Sequence, residues 1–245
     1  MLPILFILVL SGLCEMKKLK VLISVLDAYE TGKSKPDWVE KYGAEFDDNR
    51  RKYAEKHGYD YFVGRENLTP GSNVLWSKYV YNLQKLEEGY DIILNIDADA
   101  RIMNDEIKIE DLDAQMQSQC GDYSVAMAKD INGFNNGIYM LKNTPISKQI
   151  LTEALKIKSD KSVPFIFAWF EQAGFSHVVK QNPLFKSQVC VPAQNVLNSY
   201  PFNEGYAGKV YKDGDFILHF VHTGKRVISH YLNGLMKKRK LIEYQ

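Results

Sequence analysis

Almost no charge imbalance marks this 245-residue chain: 31 Lys and Arg stand against 30 Asp and Glu, for a net charge of +1. That balance gives no electrostatic sign of bulk nucleic-acid affinity, so nucleic acid is not an expected partner. Cysteine is scarce. Cys14, Cys120 and Cys190 form neither a disulfide framework nor a metal-ligand spacing, and they read as unpaired thiols. Internal repeats and low-complexity linkers are missing too, so one domain is expected. What the chain has in quantity is aromatic residues, with fifteen Tyr and twelve Phe. Such a count suits a groove that stacks rings, and a tyrosine-rich core produces the same number.

Long apolar runs are also lacking. Residues 2–13 are apolar, but about twelve residues fall short of the roughly twenty that a membrane-spanning helix needs. No basic residue precedes them, as a signal peptide would require. The following "LSGLC" resembles a lipoprotein cleavage site with Leu13 in the place of a small residue. Lys17, Lys18 and Lys20 would hold the downstream domain on the cytoplasmic side if this were an anchor. A truncated anchor, a weak signal sequence and a docked apolar arm all stay open, with membrane association expected. Residues 1–18 are therefore set apart as a leader, and residues 19–245 as the domain.

The domain alternates strand and helix signals. "KVLISVLDAYE" predicts a strand over residues 21–26. Ser34 and Pro36 then start a helix that carries Trp38, Tyr42, Phe46 and Tyr53 and stops at Gly58. "YDYFVG" is a second strand, and residues 74–88 a second helix with Trp76, Leu83 and Leu86 on its apolar face, closed by Gly89. A third strand follows in "YDIILNIDADARIMN". This order predicts an α/β domain with parallel strands and crossover helices, in which ligands bind beyond the carboxyl ends of the strands. Farther on, "YSVAMAKD" and "IYMLKN" read as strands flanking a loop, "INGFNNG". Residues 147–157 and "FIFAWFEQAGF" read as helices, "VCVPAQNVLNSYP" as a short strand and loop, and "DFILHFVHTGKR" as a last strand with a turn. "MKKRK" near the end reads as a solvated helix face.

The third strand carries the chemistry. It ends in Asp97 and Asp99, separated by Ala98, so on an extended backbone both carboxylates point to the same side. Two adjacent acids repel each other and favour a hard divalent cation between them, and such an ion commonly holds a diphosphate. His219 ends the strand "FILHF" in the same manner; alone it reads as a hydrogen-bonded core residue, and beside the acid pair as a third ligand, one that suits Mn²⁺ better than Mg²⁺. Gly224 and Lys225 in "HTGKR" make a flexible cationic turn fit to clamp a diphosphate. Asp130, Asn132, Asn135 and Asn136 in "DINGFNNG" suit hydroxyl recognition, because amides both donate and accept. Glu171 and Gln172 interrupt an apolar aromatic helix and so face either a neighbouring backbone group or a reacting centre. Lys78 lies one helix ahead of the acid pair, where solvent exposure is the simple alternative.

Taken in order, "W-S-K", "NIDADARIMN", "DINGFNNGIYMLKN", "FEQ", "VPAQNVLNSY" and "GDFILHFVHTGK" resemble glycosyltransferase family 34, from about residue 20 to residue 225. Asp97 and Asp99 match its D-x-D. Residues 130–137 match its D-W-N-G-L-N-x-G with Ile131 in place of Trp, and His219 and Phe220 match its H-F-x-G with His222 in place of Gly. The resemblance implies a GT-A fold, that is, a Rossmann-like mixed sheet flanked by helices in one domain. It implies a retaining transfer of a hexose or pentose from a UDP- or GDP-sugar to a glycan acceptor. Asp97, Asp99 and His219 would hold Mn²⁺, and Gly224 and Lys225 the diphosphate. Lys78, Asp130, Asn132, Asn135, Asn136 and Asn198 would bind substrate, and Gln172 with Glu171 would stabilise the cationic sugar. For a eukaryotic source a Golgi-type membrane location follows, and otherwise a cytoplasmic one. Two rivals are weighed against it. A haloacid-dehalogenase-like phosphatase would use the first Asp as nucleophile, but its motif belongs near the start of a domain. An inactive sugar-binding relative is the other, and the intact metal-site residues speak against decay.

Overall fold

The computed structural model describes residues 18–30, 37–201, 210–221, 228–229 and 232–234. The apolar leader, the Ser34–Pro36 helix start, the Gly224–Lys225 turn and the basic "MKKRK" segment lie outside them. Nearly continuous apolar runs make β1 (Val21–Leu26) and β3 (Ile92–Ile96), both buried on the two faces of a central sheet. β2 (Asp60–Gly64) follows α1 (Asp37–His57), and a single 3₁₀ turn (Val74–Trp76) leads into α2 (Ser77–Glu87). Gly58 and Gly89 sit at φ 69° and 83° just past the two helices, the left-handed conformation that ends a helix cheaply only for glycine. β1 pairs in parallel with β2 and with β3, as the strand–helix alternation predicts.

After β3 the direction of the sheet changes. β4 (Ala100–Ile102) leaves the main sheet, and α3 (Ile109–Cys120) precedes the hairpin of β5 (Val125–Asp130) and β6 (Gly133–Lys142). β6 runs antiparallel to both β3 and β5, and the two-residue β7 (Val189–Cys190) pairs in parallel with β5. The sheet order is β2-β1-β3-β6-β5-β7, a mixed sheet. α4 (Pro145–Lys156), α5 (Ile166–Gln181), α6 (Pro183–Ser187) and α7 (Gln194–Leu197) occupy the second half. β8 (Ile217–His219) pairs antiparallel with β4 in a separate two-stranded sheet.

Side chains alternate across each strand, and the core is accordingly double. Val21, Ile23, Ile92, Leu94 and Ile96 face Tyr53 of α1 and Ile109, Leu112 and Met116 of α3. Leu22, Ile93, Tyr139 and Leu141 face Tyr79 of α2, Ile150 and Leu151 of α4 and Phe175 of α5. Each fully buried Leu or Ile stabilises the fold by about 1.5–3 kcal/mol, so both helix layers are fastened to the sheet from within.

Three sequence expectations change here. "INGFNNG" is a loop only at Ile131 and Asn132. From Gly133 onward it is strand: Gly133 and Phe134 pair with β5, residues 135–137 continue β6 across a break in that register, and Ile138 pairs with β3. The thiols are not all free. Cys120 at the end of α3 and Cys190 in β7 form a disulfide with Cα atoms 5.7 Å apart. Seventy residues separate them, so their proximity arises from the sheet and not from any local spacing. Asp97 and Asp99 do not lie on extended backbone either, as the site geometry shows.

Candidate active site

β3 stops where its ladder stops. The Asp97 amide donates to the Gly137 carbonyl at 2.7 Å, and the Ala100 amide then donates to the Asp97 carbonyl at 3.1 Å, closing a turn over the acid pair. Arg50 of α1 holds that turn from below. Its buried Nη1 donates to the carbonyls of Asp97, Ala98 and Ala100 at 3.3, 3.0 and 2.9 Å. Neighbouring Asn49 mimics a strand, donating to the Ile102 carbonyl and accepting from its amide. With β4 so fixed, its pairing with β8 sets Ala100 opposite His219. The Phe220 amide donates to the Asp99 carbonyl at 3.0 Å.

This register brings three ligand-type side chains together. One ligand atom each from Asp97, Asp99 and His219 lies within 4.8 Å of the others. His219 Nε2 stands 3.1 Å from Asp99 Oδ1, and its Nδ1 stands 3.0 Å from Asn198 Oδ1. An amide oxygen accepts only, so Nδ1 carries a proton and Nε2 is left for the carboxylate or a metal. Burial alone would lower the His219 pKa, but the Asp99 carboxylate outweighs it and raises the value above that of an ordinary histidine. For Asp99, burial works against the charge, and the His219 imidazole prevails and lowers its pKa. Two carboxylates and one imidazole are a donor set that fits a divalent cation of the Mn²⁺ kind. The carboxylates keep 29% and 24% of their side-chain area exposed, which leaves the cluster open to a ligand.

Lys78 is expected among the substrate-binding side chains, with solvent as the alternative; the structure buries it behind the acid pair, away from solvent. Its side chain is 1% exposed, and Nζ bonds Asp97 Oδ1 at 2.9 Å and Glu171 Oε1 at 3.1 Å. Desolvation would strip its charge, but the two carboxylates outweigh burial and raise its pKa. Glu171 is raised as well, first by burial and only partly relieved by Lys78. Its Oε2 has no hydrogen-bonding partner although it is buried at the pocket wall. Asn136 joins this group. Its Nδ2 donates to Glu171 Oε1 and to Tyr79 Oη, and its amide donates to Gln172 Oε1 at 3.3 Å.

Asn198 departs from expectation in the same way. It is fully buried, with Oδ1 on His219 and Nδ2 donating to Asn135 Oδ1 at 2.9 Å, behind the cavity rather than in its lining. Asn135 in turn donates to Asp130 Oδ2 and Tyr200 Oη, and it accepts from the Gly137 amide. The chain Asp130–Asn135–Asn198–His219 therefore orients the histidine. Gly137 lies under its ring, and any Cβ there would run into His219 Cε1.

Beside the cluster is a cavity of about 380 Å³, lined by Asp97, Asp99, His219, Glu171, Gln172 and Trp169. Asp130, Asn132, Asn135 and Asn136 complete its wall. Gly224 and Lys225 fall outside the described residues. Sequence reading missed Arg50 and Tyr200, because a basic helix residue and a lone tyrosine carry no motif. It also missed Phe170, whose φ of 41° and ψ of −118° break α5 immediately before Glu171. That break lets Trp169 and Glu171 address the same cavity from one helix.

The fold is that of the GT-A glycosyltransferases. A glycosyltransferase involved in glycosylation of the major capsid of PBCV-1 superposes with a TM-score of 0.66 at 13% identity, over 86% of this chain and 98% of that one. An active-site mutant of LgtC superposes at 0.50 and 12% identity, over 87% and 95%. The galactosyl transferase GMA12/MNN10 family, family 34, matches residues 17–119 and 113–226, and the chain belongs to it. Among curated proteins, an alpha-1,2-galactosyltransferase of Schizosaccharomyces pombe is 27% identical, covering 70% of this chain and 54% of that protein. An uncharacterized alpha-1,2-galactosyltransferase of the same yeast is 24% identical with the same coverage. The chain spans about half the length of these curated relatives.

Proposed function

We propose that this chain is a metal-dependent retaining glycosyltransferase that moves a hexose or pentose from a UDP- or GDP-sugar to a glycan acceptor. One observation carries the reading: the Asp97–Asp99–His219 cluster and the Glu171–Gln172 pair line a single cavity. A diphosphate needs a cation, which the cluster would hold, and a departing sugar needs electron-rich partners, which Glu171 and Gln172 offer. Asp97, Asp99 and His219 would hold Mn²⁺, which when bound supplies Lewis-acid neutralisation of the diphosphate charge. Gly224 and Lys225 would hold the same diphosphate. Lys78 and Arg50 keep the acid pair in place. Gln172 and the unpaired Oε2 of Glu171 present partial negative charge to the oxocarbenium-like sugar carbon. With Glu171 engaged by Lys78 and Asn136, attack by the acceptor hydroxyl on the leaving-group face is the favoured retaining route. Asp130 and Asn132, at the cavity wall, are suited to sugar hydroxyls.

The phosphatase alternative is disfavoured because Asp97, its would-be nucleophile, is bound to a buried ammonium. The names of the yeast relatives make UDP-galactose the first donor to try. A Golgi-type, oxidising compartment is inferred from the Cys120–Cys190 disulfide and the yeast relatives. Among the described residues no helix is long and apolar enough to cross a membrane. The test is release of free nucleotide from a panel of UDP- and GDP-sugars with Mn²⁺ and mixed glycan acceptors. Release is expected to depend on Mn²⁺ and to fall at least about 10²-fold in Asp99→Ala, the scale of losing one preorganised charge partner. Full activity of Asp99→Ala, or release from no donor, overturns the assignment.

A further inference from the structure

α5 borders a second cavity of about 640 Å³ that none of Asp97, Asp99 or His219 lines. It is continuous with the first, since Asn132, Trp169 and Gln172 line both. From that shared mouth it runs along one face of α5. Trp169, His177 and Lys180 recur at helical spacing, and Phe165 stands at the N-terminal end of the helix.

Phe165 is the telling residue. Its φ is 61°, a left-handed conformation costly for a bulky side chain, and its ring is 71% exposed. Strain on an aromatic residue is usually repaid by packing, yet among the described residues Phe165 stays largely uncovered. Phe170, five residues on, is held at φ 41°. The stretch between two strained residues therefore carries an aromatic side chain into each cavity's border, Phe165 on the outer one and Trp169 on both. Polar groups from Asn132, Gln172, His177 and Lys180 alternate with these rings. Rings for the apolar face of a sugar and scattered hydrogen-bonding groups for its hydroxyls are the lining a saccharide needs, whereas an apolar peptide would leave those polar groups unpaired.

We propose that this groove is the acceptor extension of the active site and binds a linear neutral oligosaccharide. Its reacting sugar sits at the mouth beside Asn132 and Gln172, and the sugars behind it lie along α5 against Phe165 and toward Lys180. This rests on the glycosyl-transfer reading, which supplies the reacting end. It adds that the enzyme measures acceptor length.

The experiment titrates the full chain with fluorescently labelled linear hexose oligosaccharides of one to six units, in α- and β-linked series. Affinity is expected to rise about ten-fold or more between one unit and four in at least one series, the scale of one or two ring contacts. Phe165→Gly should cancel that gain while raising Tm, because glycine relieves the left-handed backbone. A merely structural phenylalanine would move both together. Lys180→Ala should weaken only the longest chains. Affinity that ignores length in both series, or a length gain that survives both substitutions, overturns the groove. Cleavage of the nucleotide-sugar to water is followed in parallel. Its absence in the unsubstituted chain counts against glycosyl transfer, while a length-dependent affinity lost in Phe165→Gly still supports the groove.

Discussion

At the scale of single residues, the site is a balance of buried charges. Lys78 is the one ammonium between Asp97 and Glu171, and removing it strands two carboxylates, one of them 4% exposed. Breaking a buried pair from one side costs about 3–5 kcal/mol. Lys78→Met is therefore expected to lose stability on that scale in urea unfolding. Glu171→Gln added to it should recover a substantial part, since the stranded buried charge is gone. Equal stability of the single and double variants would show that Glu171 is not the partner that matters. His219 carries a second prediction, in pH. Its raised pKa means that a proton competes for Nε2 at higher pH than at an ordinary histidine of about 6.5. Mn²⁺ affinity, measured by calorimetry, should thus fall as pH drops through that raised value. Without metal the sign is reversed. The His219 contribution to stability is complete below the ordinary histidine pKa and is lost as pH rises through the raised one. The Asp99 contribution, with its pKa lowered, is present above the ordinary carboxylate value and is lost as pH falls through the lowered one. Metal-free Tm should peak between the two.

At the scale of elements, what was legible followed from period and what was not followed from contact. β1, β2, β3 and the helices between them stand out because apolar runs and helical stripes repeat within each segment. Asp97, Asp99 and His219 were legible because each follows such a run. β4 has three residues and no period, and it exists by pairing with β8, more than a hundred residues later. α3 exposes most of its length and buries little beyond Ile109, Leu112 and Met116, too sparse a stripe to announce a helix among Glu, Asp and Gln. Asn135 and Asn136 read as turn residues, yet they lie within β6 where its register with β5 breaks, their side chains bonded to Asp130, Tyr200, Tyr79 and Glu171. The same dependence on contact hides Arg50. Nothing in "DDNRRKY" tells Arg50 from Arg51, although Arg50 is buried under the acid turn and Arg51 pairs with Asp47 on the surface. Arg50→Met keeps the aliphatic stem but removes a donor that three carbonyls share, of which only that of Asp97 keeps the Ala100 amide noted above. A stability loss of about 1–3 kcal/mol is expected from the stranded carbonyls. Mn²⁺ affinity should weaken as well, because the turn presenting Asp97 and Asp99 is loosened. Unchanged metal affinity at lowered Tm would confine Arg50 to the fold.

At the scale of the whole molecule, the site and the staple lie at opposite ends of the same strand. β5 begins beside Cys190, which pairs with Ala126, and ends at Asp130 in the cavity wall. The Cys120–Cys190 bond closes a loop that contains β5, β6, α4 and α5, the part of the chain that supplies Glu171, Gln172 and the Asn135–Asn136 pair. Such a closure restricts the unfolded chain more than it shapes the folded one, and losing it costs about 2–4 kcal/mol. Cys120 is the end to change, since it is exposed whereas Cys190 is 1% exposed and packed beside Met116. In Cys120→Ser the remaining buried thiol behaves as a small apolar side chain, so the variant isolates the bond from the packing. Tm should drop under oxidising conditions, and a reductant should bring the unsubstituted chain down to the same value. Mn²⁺ affinity at Asp97, Asp99 and His219 should stay put, because β5 separates the bond from the cavity and the ligands stand on the turn between β3 and β4 and on β8. If the reductant leaves Tm of the unsubstituted chain where it was, the two cysteines are free thiols and the oxidising-compartment inference falls with the bond.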